Sequence, residues 1–178
     1  LNAKKPVTNP SDLKGLNIRC MENAVLAGTI NAMGATGVPM AWSEVYTAVQ
    51  QKTIDGLENS IPVITSNKLY EVAKYFSKTE QFIIPDPILM SKAVYDSLTP
   101  EQQEAVLKAA YDASAYMDKY ILDKVEEYKK ICEDNGMEII DAENGLDIDG
   151  FKAAAENVYD YFAEDWGDMP DLIRAVQP

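Results

Sequence analysis

The sequence predicts an α/β fold, and three observations carry that reading. Short apolar runs of strand type alternate with helical patterns in the first half. A strongly capped helix starts near Thr99 and meets no Gly or Pro before Gly136. The rest of the second half is rich in helical patterns.

In chain order, Leu1 to Val7 reads as an extended segment with no partner strand and no cap before it. So abrupt a start predicts that the chain is a piece of a longer polypeptide. Asn9 to Gly15 is a turn: Pro10 fixes the backbone, Ser11 or Asp12 caps a helical turn, and Gly15 ends it. Leu16 to Met21 is a strand, and Ala24 to Met33 a helix stopped by Gly34. Gly37 to Met40 is an edge segment, because Pro39 cannot donate to a central ladder.

Ser43 is the expected N-cap of a helix over 44–51, with Glu44 in its first turn. Gly56 serves a tight backbone position. Ser60 to Thr65 opens another helix, with Pro62 in its first turn. Leu69, Val72, Tyr75 and Phe76 recur at helical spacing. Gln81–Ile84 and Ile88–Ser91 read as two strands linked by Pro85-Asp86-Pro87.

Thr99-Pro100-Glu101-Gln102 has a capping box and Pro at the first helical position. A helix over about 100–135 would be roughly 50 Å long at 1.5 Å per residue. That length fits a helix running along two lobes. Met137 to Ile140 is a strand, 141–150 an acidic loop, and Asp149 the cap of a helix to about Asp165. Asp171 to Val176 closes the chain with a further helical segment.

Composition narrows the function. The 178 residues are 47% hydrophobic and 25% charged, an ordinary globular balance. A net charge of -13 argues against nucleic acid and against an anionic membrane surface. It leaves an anionic small ligand open, because one local Arg decides that. No run of about 18 apolar residues offers a spanning helix. No basic-then-apolar leader is present, which does not locate the protein. Cys20 and Cys132 read as two buried free thiols, with a disulfide between them left open.

The chemistry-bearing candidates are few. Arg19 ends an apolar strand, where open α/β sheets hold ligands, and its planar fork matches a carboxylate; an ion-paired surface Arg is the other reading. Trp42 is either core or an apolar wall with an indole N–H to offer. Asp55, Glu58 and Asn59 form a polar knot, either turn and cap residues or ligand contacts. Asn59 suits recognition, having both donor and acceptor. Acid/base work by Asp55 and Glu58 is remote, since the chain has no His and no nucleophile motif. The acids at 141, 143, 147 and 149 miss the calcium-loop pattern. No phosphate loop or Cys/His metal cluster appears, so no cofactor and no metal is expected.

Several stretches, in order, resemble one family. They are Asp12-Leu13-Lys14-Gly15-Leu16-Asn17-Ile18-Arg19, Pro39 through Gln51, Asp55-Gly56-Leu57-Glu58-Asn59, Lys68 through Tyr75 and Leu98 through Gln103. The family is the DctP-type extracytoplasmic solute-binding proteins of tripartite ATP-independent periplasmic (TRAP) transporters. The resemblance implies a periplasmic-binding-protein-like two-lobed receptor, not an enzyme. Such a receptor captures a small organic acid and delivers it to the permease subunits in the membrane. It implies that Arg19 pairs with the ligand carboxylate, that Trp42 lines the cleft and that Asn59 hydrogen-bonds the ligand. Leu57 stands where Gln is usual, and Cys20-Met21 where Val-Pro is common, which leaves the ligand's identity open.

Family members are nearly twice as long. The resemblance therefore implies a second-lobe α/β segment over 1–90 with crossover strands at its ends. A helix-rich segment over 91–178 would follow, its long helix spanning both lobes, with most of the first lobe lying outside this chain. Localisation would be extracytoplasmic, in the periplasm or anchored at the cell surface as a lipoprotein. Uncovered core faces predict self-association of the chain. A sensor domain on the same fold, signalling through a partner protein, is the alternative.

Overall fold

The computed structural model describes residues 1–176; Gln177 and Pro178, which the 91–178 segment includes, lie outside the described residues. One mixed sheet organises the chain. Its strands are β1 (Asn2–Ala3), β2 (Asn17–Cys20), β3 (Thr36–Pro39), β4 (Gly56–Leu57), β5 (Tyr75–Ser77) and β6 (Glu138–Ile140). They lie in the order β3-β2-β4-β1-β5-β6. β2 runs parallel to β3 and β4, and β5 parallel to β6, while β1 is antiparallel to both of its neighbours. Every strand except β1 therefore points its carboxyl end to the same edge. Residues on both sides of position 90 share this sheet.

Leu1 to Val7 is the first correction. Far from lacking partners, Asn2 and Ala3 sit in the middle of the sheet, against Gly56–Leu57 on one side and Tyr75–Phe76 on the other. Both partners are distant in sequence, so no local pattern announces the pairing. Gly56 is required by that proximity, because a Cβ there would press on Asn2 O and lie 3.0 Å from Ala3 Cα.

Helices cover both faces. One core joins Ile18, Cys20, Ile30 and Phe151, beneath α1 (Ala24–Ala32) and α6 (Ile148–Glu156). The other joins Val49, Leu57, Ile64 and Cys132, beneath α2 (Trp42–Gln50), α3 (Ile61–Ser66) and the far end of α5 (Pro100–Asp134). The two cysteines are thus buried and free, one in each core. The pairing left open in the sequence is not made.

Local chemistry explains most element starts. Thr99 caps α5 as expected: its hydroxyl accepts from Gln102 N at 3.3 Å, and the Gln102 side chain accepts from Thr99 N at 2.9 Å. Asn9, rather than Ser11, caps the 3-10 turn Pro10–Leu13, in a box with Asp12. Asp147, rather than Asp149, caps α6 through Gly150 N at 2.9 Å. The expected single helix to Asp165 is broken into α6, α7 (Val158–Tyr161) and α8 (Ala163–Trp166), and α9 (Met169–Ala175) follows.

Two further expectations fail. The helical spacing from Leu69 to Phe76 conceals a 3-10 turn, Leu69–Glu71, followed by strand β5; pairing with Asn2–Ala3 overrides the spacing. The two strands expected within 81–91 do not form. Pro85 and Pro87 cannot donate to a ladder, no strand of the described residues lies beside them, and Ile83 and Leu89 are 96% and 84% exposed. This exposed run leads through α4 (Lys92–Asp96) to the amino end of α5. Residues 111–120 of α5 are exposed all round. No helix of the described residues is long and apolar enough to cross a membrane.

Candidate functional site

Arg19 is the penultimate residue of β2 and pairs in register with Val38 of β3 and Leu57 of β4. Side chains in register on parallel strands share a face, so Arg19 lies on the side covered by α2 and α3. It is only 2% exposed. Its Nε and Nη2 both donate to the Met40 carbonyl, at 2.9 and 2.8 Å. That occupies the side edge of the guanidinium and fixes its plane. Nη1 is buried and has no hydrogen-bond partner. Among the described residues, Arg19 forms no ion pair within 4.0 Å. Burial pulls its pKa down, opposed chiefly by the negative charge of Glu58.

Trp42 stands over this cation, its ring centroid 5.4 Å from the guanidinium carbon. Cation–π attraction of this kind holds the indole in place. The sequence placed Trp42 before the helix; it is instead the first residue of α2. Ser43 is therefore not the cap. Ala41 occupies that position and offers no side-chain acceptor to the first-turn N–H groups. Trp42 is 37% exposed, so one part of the indole packs on Arg19 and another faces solvent. A cavity of about 300 Å³ adjoins α2's first turns, lined by Trp42, Ser43, Val45, Tyr46, Asn67 and Leu69. It includes neither Arg19 nor Asn59.

Asn59 follows β4 at the same carboxyl edge, two residues beyond the partner of Arg19. Its Oδ1 accepts from Ser60 N at 2.9 Å, which leaves its amide N–H groups as donors. No hydrogen bond joins Asn59 to Arg19 or Trp42 among the described residues. The structure thus brings Arg19 and Trp42 together and puts Asn59 on the same edge, without direct contact.

Glu58 and Asp55 separate. Asp55 sits at the amino end of β4, where Oδ2 accepts from Asn17 N at 2.9 Å. Glu58 sits at the carboxyl end, 6% exposed, and its N–H donates to Arg19 O at 3.2 Å. Three residues of extended chain span roughly 10 Å, so the pair cannot share a proton. Burial raises the Glu58 carboxyl pKa, opposed by Arg19 and the chain's amino terminus. In the acidic loop, Asp141 and Asp147 act as caps.

Sequence reasoning did not find the Met40 carbonyl, because a main-chain acceptor leaves no trace in residue type. The edge offers the unpartnered Nη1 of a buried guanidinium and the amide of Asn59, beside an indole wall, with the buried Glu58 carboxyl at the same strand end. Such a set accommodates an anion with two coplanar oxygens.

Comparison with known proteins fits this geometry. The family model described as bacterial extracellular solute-binding protein, family 7 (DctP), matches residues 1–165. The 2,3-diketo-L-gulonate-binding periplasmic protein YiaO of Escherichia coli is 35% identical over 176 residues, covering 98% of this chain and 53% of that protein. The ectoine-binding periplasmic protein TeaA of Halomonas elongata is 34% identical over 170 residues, covering 95% of this chain and 50% of its own. A solved TRAP periplasmic solute-binding protein from Pseudomonas putida F1, with bound D-glucuronate, superimposes with a TM-score of 0.89 at 33% identity. It covers 99% of this chain and 56% of that one. The chain spans about half the length of the curated relatives it matches. By the extent of the family match and the shared fold, this chain belongs to the DctP family of bacterial extracellular solute-binding proteins.

Proposed function

We propose that this chain serves as the second-lobe half of an extracytoplasmic receptor, in the periplasm or held at the cell surface by a lipid anchor. The receptor captures a sugar acid and hands it to the membrane subunits of a TRAP-type permease. Arg19 holds the ligand carboxylate on its free edge, Trp42 stacks against the carbon skeleton, and the Asn59 amide donates to a ligand oxygen. The observation that carries the reading is the isolation of Arg19. A buried guanidinium with an unpartnered N–H and no ion pair in contact is costly, and an anionic ligand supplies the partner. The sugar-acid class is supported by relatives whose names or bound ligands are uronates and diketogulonate. Ectoine in other relatives keeps a carboxylate and changes the rest.

The exposed middle of α5 supports a helix that spans two lobes, its inner face covered by the first lobe in a full-length receptor. Self-association of the chain is the remaining part of the proposal, supported by its uncovered apolar surface.

A thermal-shift comparison tests the ligand. D-glucuronate raises the melting temperature, since a ligand that binds only the native state stabilises it; D-glucose, lacking the carboxylate, does not. Arg19→Met abolishes the shift. An equal shift from glucose, or an undiminished shift in the variant, would contradict the reading.

A further inference from the structure

We propose that the first turn of α2 is a second anchor for the ligand carboxylate, the main-chain N–H groups of Trp42 and Ser43 receiving one oxygen while Arg19 receives the other. The inference rests on Arg19 as the carboxylate's partner and adds to it a pair of donors that no side chain supplies.

The turn is open. α2 has nine residues, and Ala41 in the capping position has no side-chain oxygen. Glu44 N bonds back to Ala41 O at 3.2 Å, but the N–H groups of Trp42 and Ser43 have no acceptor among the described residues. Ala41, Trp42 and Ser43 are all exposed, so these donors are reachable. A helix start carries about half a positive charge and readily binds a carboxylate.

A helix start alone would be satisfied by water. This one has Arg19, 2% exposed, held against it from both sides. Nε and Nη2 bond the carbonyl of Met40, the residue before Ala41, and the guanidinium carbon lies 5.4 Å from the ring centroid of Trp42, the residue after it. Nη1 is buried without a partner. A full positive charge therefore stands beside the positive end of a helix dipole, where a cation is ordinarily disfavoured. The nearby carboxylates do not resolve this among the described residues. Glu44 lies in the first turn, but it is exposed and its side chain makes no hydrogen bond there. Glu58 forms no ion pair with Arg19 within 4.0 Å. One carboxylate touching both groups gives Nη1 an acceptor, gives the first turn an acceptor, and sets a negative charge between two positive ends.

Titration of this chain with D-glucuronate, read by backbone amide NMR and by calorimetry, tests the anchor. The amides of Trp42 and Ser43 should shift with glucuronate and stay still with D-glucose. Ala41→Asp places a carboxylate at the position that Asn23 holds before α1, where the Asn23 side chain accepts from the N–H groups of Val25 and Leu26. The variant should melt about 2–4 °C higher than the wild type without ligand. It should bind glucuronate more than about tenfold more weakly, because its own side chain takes the ligand's place. Ala41→Asn caps without the charge and should cost about threefold in affinity. Thr47→Asp, at an exposed position farther along α2, adds the charge without the cap and should change affinity by less than about twofold. Binding that is lost in Arg19→Met yet untouched by both Ala41 variants, or amides that stay still at saturation, overturns the anchor and leaves Arg19 as the carboxylate's partner. Equal losses in Thr47→Asp and Ala41→Asp also overturn it, since repulsion at long range would then suffice. A chain that binds no glucuronate overturns the role of Arg19, and the anchor with it.

Discussion

Arg19 holds the carbonyl of Met40 through Nε and Nη2, at 2.9 and 2.8 Å. The contact engages one edge of the guanidinium and leaves Nη1 buried without a partner. β2 places the charge, and the carbonyl of the residue after β3 holds the guanidinium in its plane.

A consequence is that function and stability oppose each other at Arg19. Arg19→Met removes a buried cation with an unpartnered Nη1 while keeping an unbranched side chain. The unliganded variant should be as stable as the wild type or about 1 kcal/mol more so, while carboxylate binding is lost. Arg19→Lys keeps the charge but not the fork, and should weaken binding by about 2 kcal/mol, or roughly thirtyfold. Urea melts and calorimetry of both variants check the two halves separately.

Trp42→Ala tests the wall. The residue opens α2 and is partly solvent-facing, so its loss should change stability by no more than about 1 kcal/mol. Ligand affinity should fall about tenfold through lost stacking. A variant that unfolds instead would show that the indole is chiefly a core residue.

Gly56→Ala tests the central pairing of β1 with β4. The added methyl would press on Asn2 O and Ala3, and backbone cannot withdraw as a flexible side chain could. Destabilisation of about 3 kcal/mol or more is expected from overpacking, read as a lower urea midpoint. A shift of a few tenths would mean that β1 is loosely held.

Two carboxylates give stability opposite pH dependences. Burial raises the Glu58 pKa above its unfolded value, so the native state binds its proton more tightly. That contribution improves stability as pH falls through the window between about 4.3 and the higher native value. Asp12 behaves conversely. Hydrogen bonds from Thr8 N, at 2.8 Å, from the Thr8 hydroxyl and from Asn9 N lower its pKa against the opposing effect of burial. Its contribution is present above the ordinary Asp value and is lost as pH falls through its depressed one. Glu58→Gln should raise stability at neutral pH and remove the first trend. Asp12→Asn should lower stability at neutral pH and remove the second. Urea melts across a pH series distinguish them.

The sequence showed what local chemistry determines. The capping box at Thr99, the glycine after α1 and the edge position of Pro39 are written within a few residues. It hid what depends on distant partners. Asn2–Ala3 are a central strand because Gly56–Leu57 and Tyr75–Phe76 flank them. Tyr75–Ser77 leaves a helical spacing for the same reason. At the site, the residue types and strand ends of Arg19, Trp42 and Asn59 were legible. The main-chain grip of Met40, the unpartnered Nη1 of Arg19 and the move of Trp42 into the helix were not, because each depends on where backbone atoms finish in space.

The central claim is that Arg19 receives the carboxylate. Its most direct test is side-chain nitrogen NMR of this chain during titration with D-glucuronate and, separately, with D-glucose. Glucuronate should shift the Arg19 guanidinium, the Trp42 indole and the Asn59 amide together, and glucose should shift none of them. An Arg19 resonance that stays still under glucuronate, or moves equally with glucose, would contradict it.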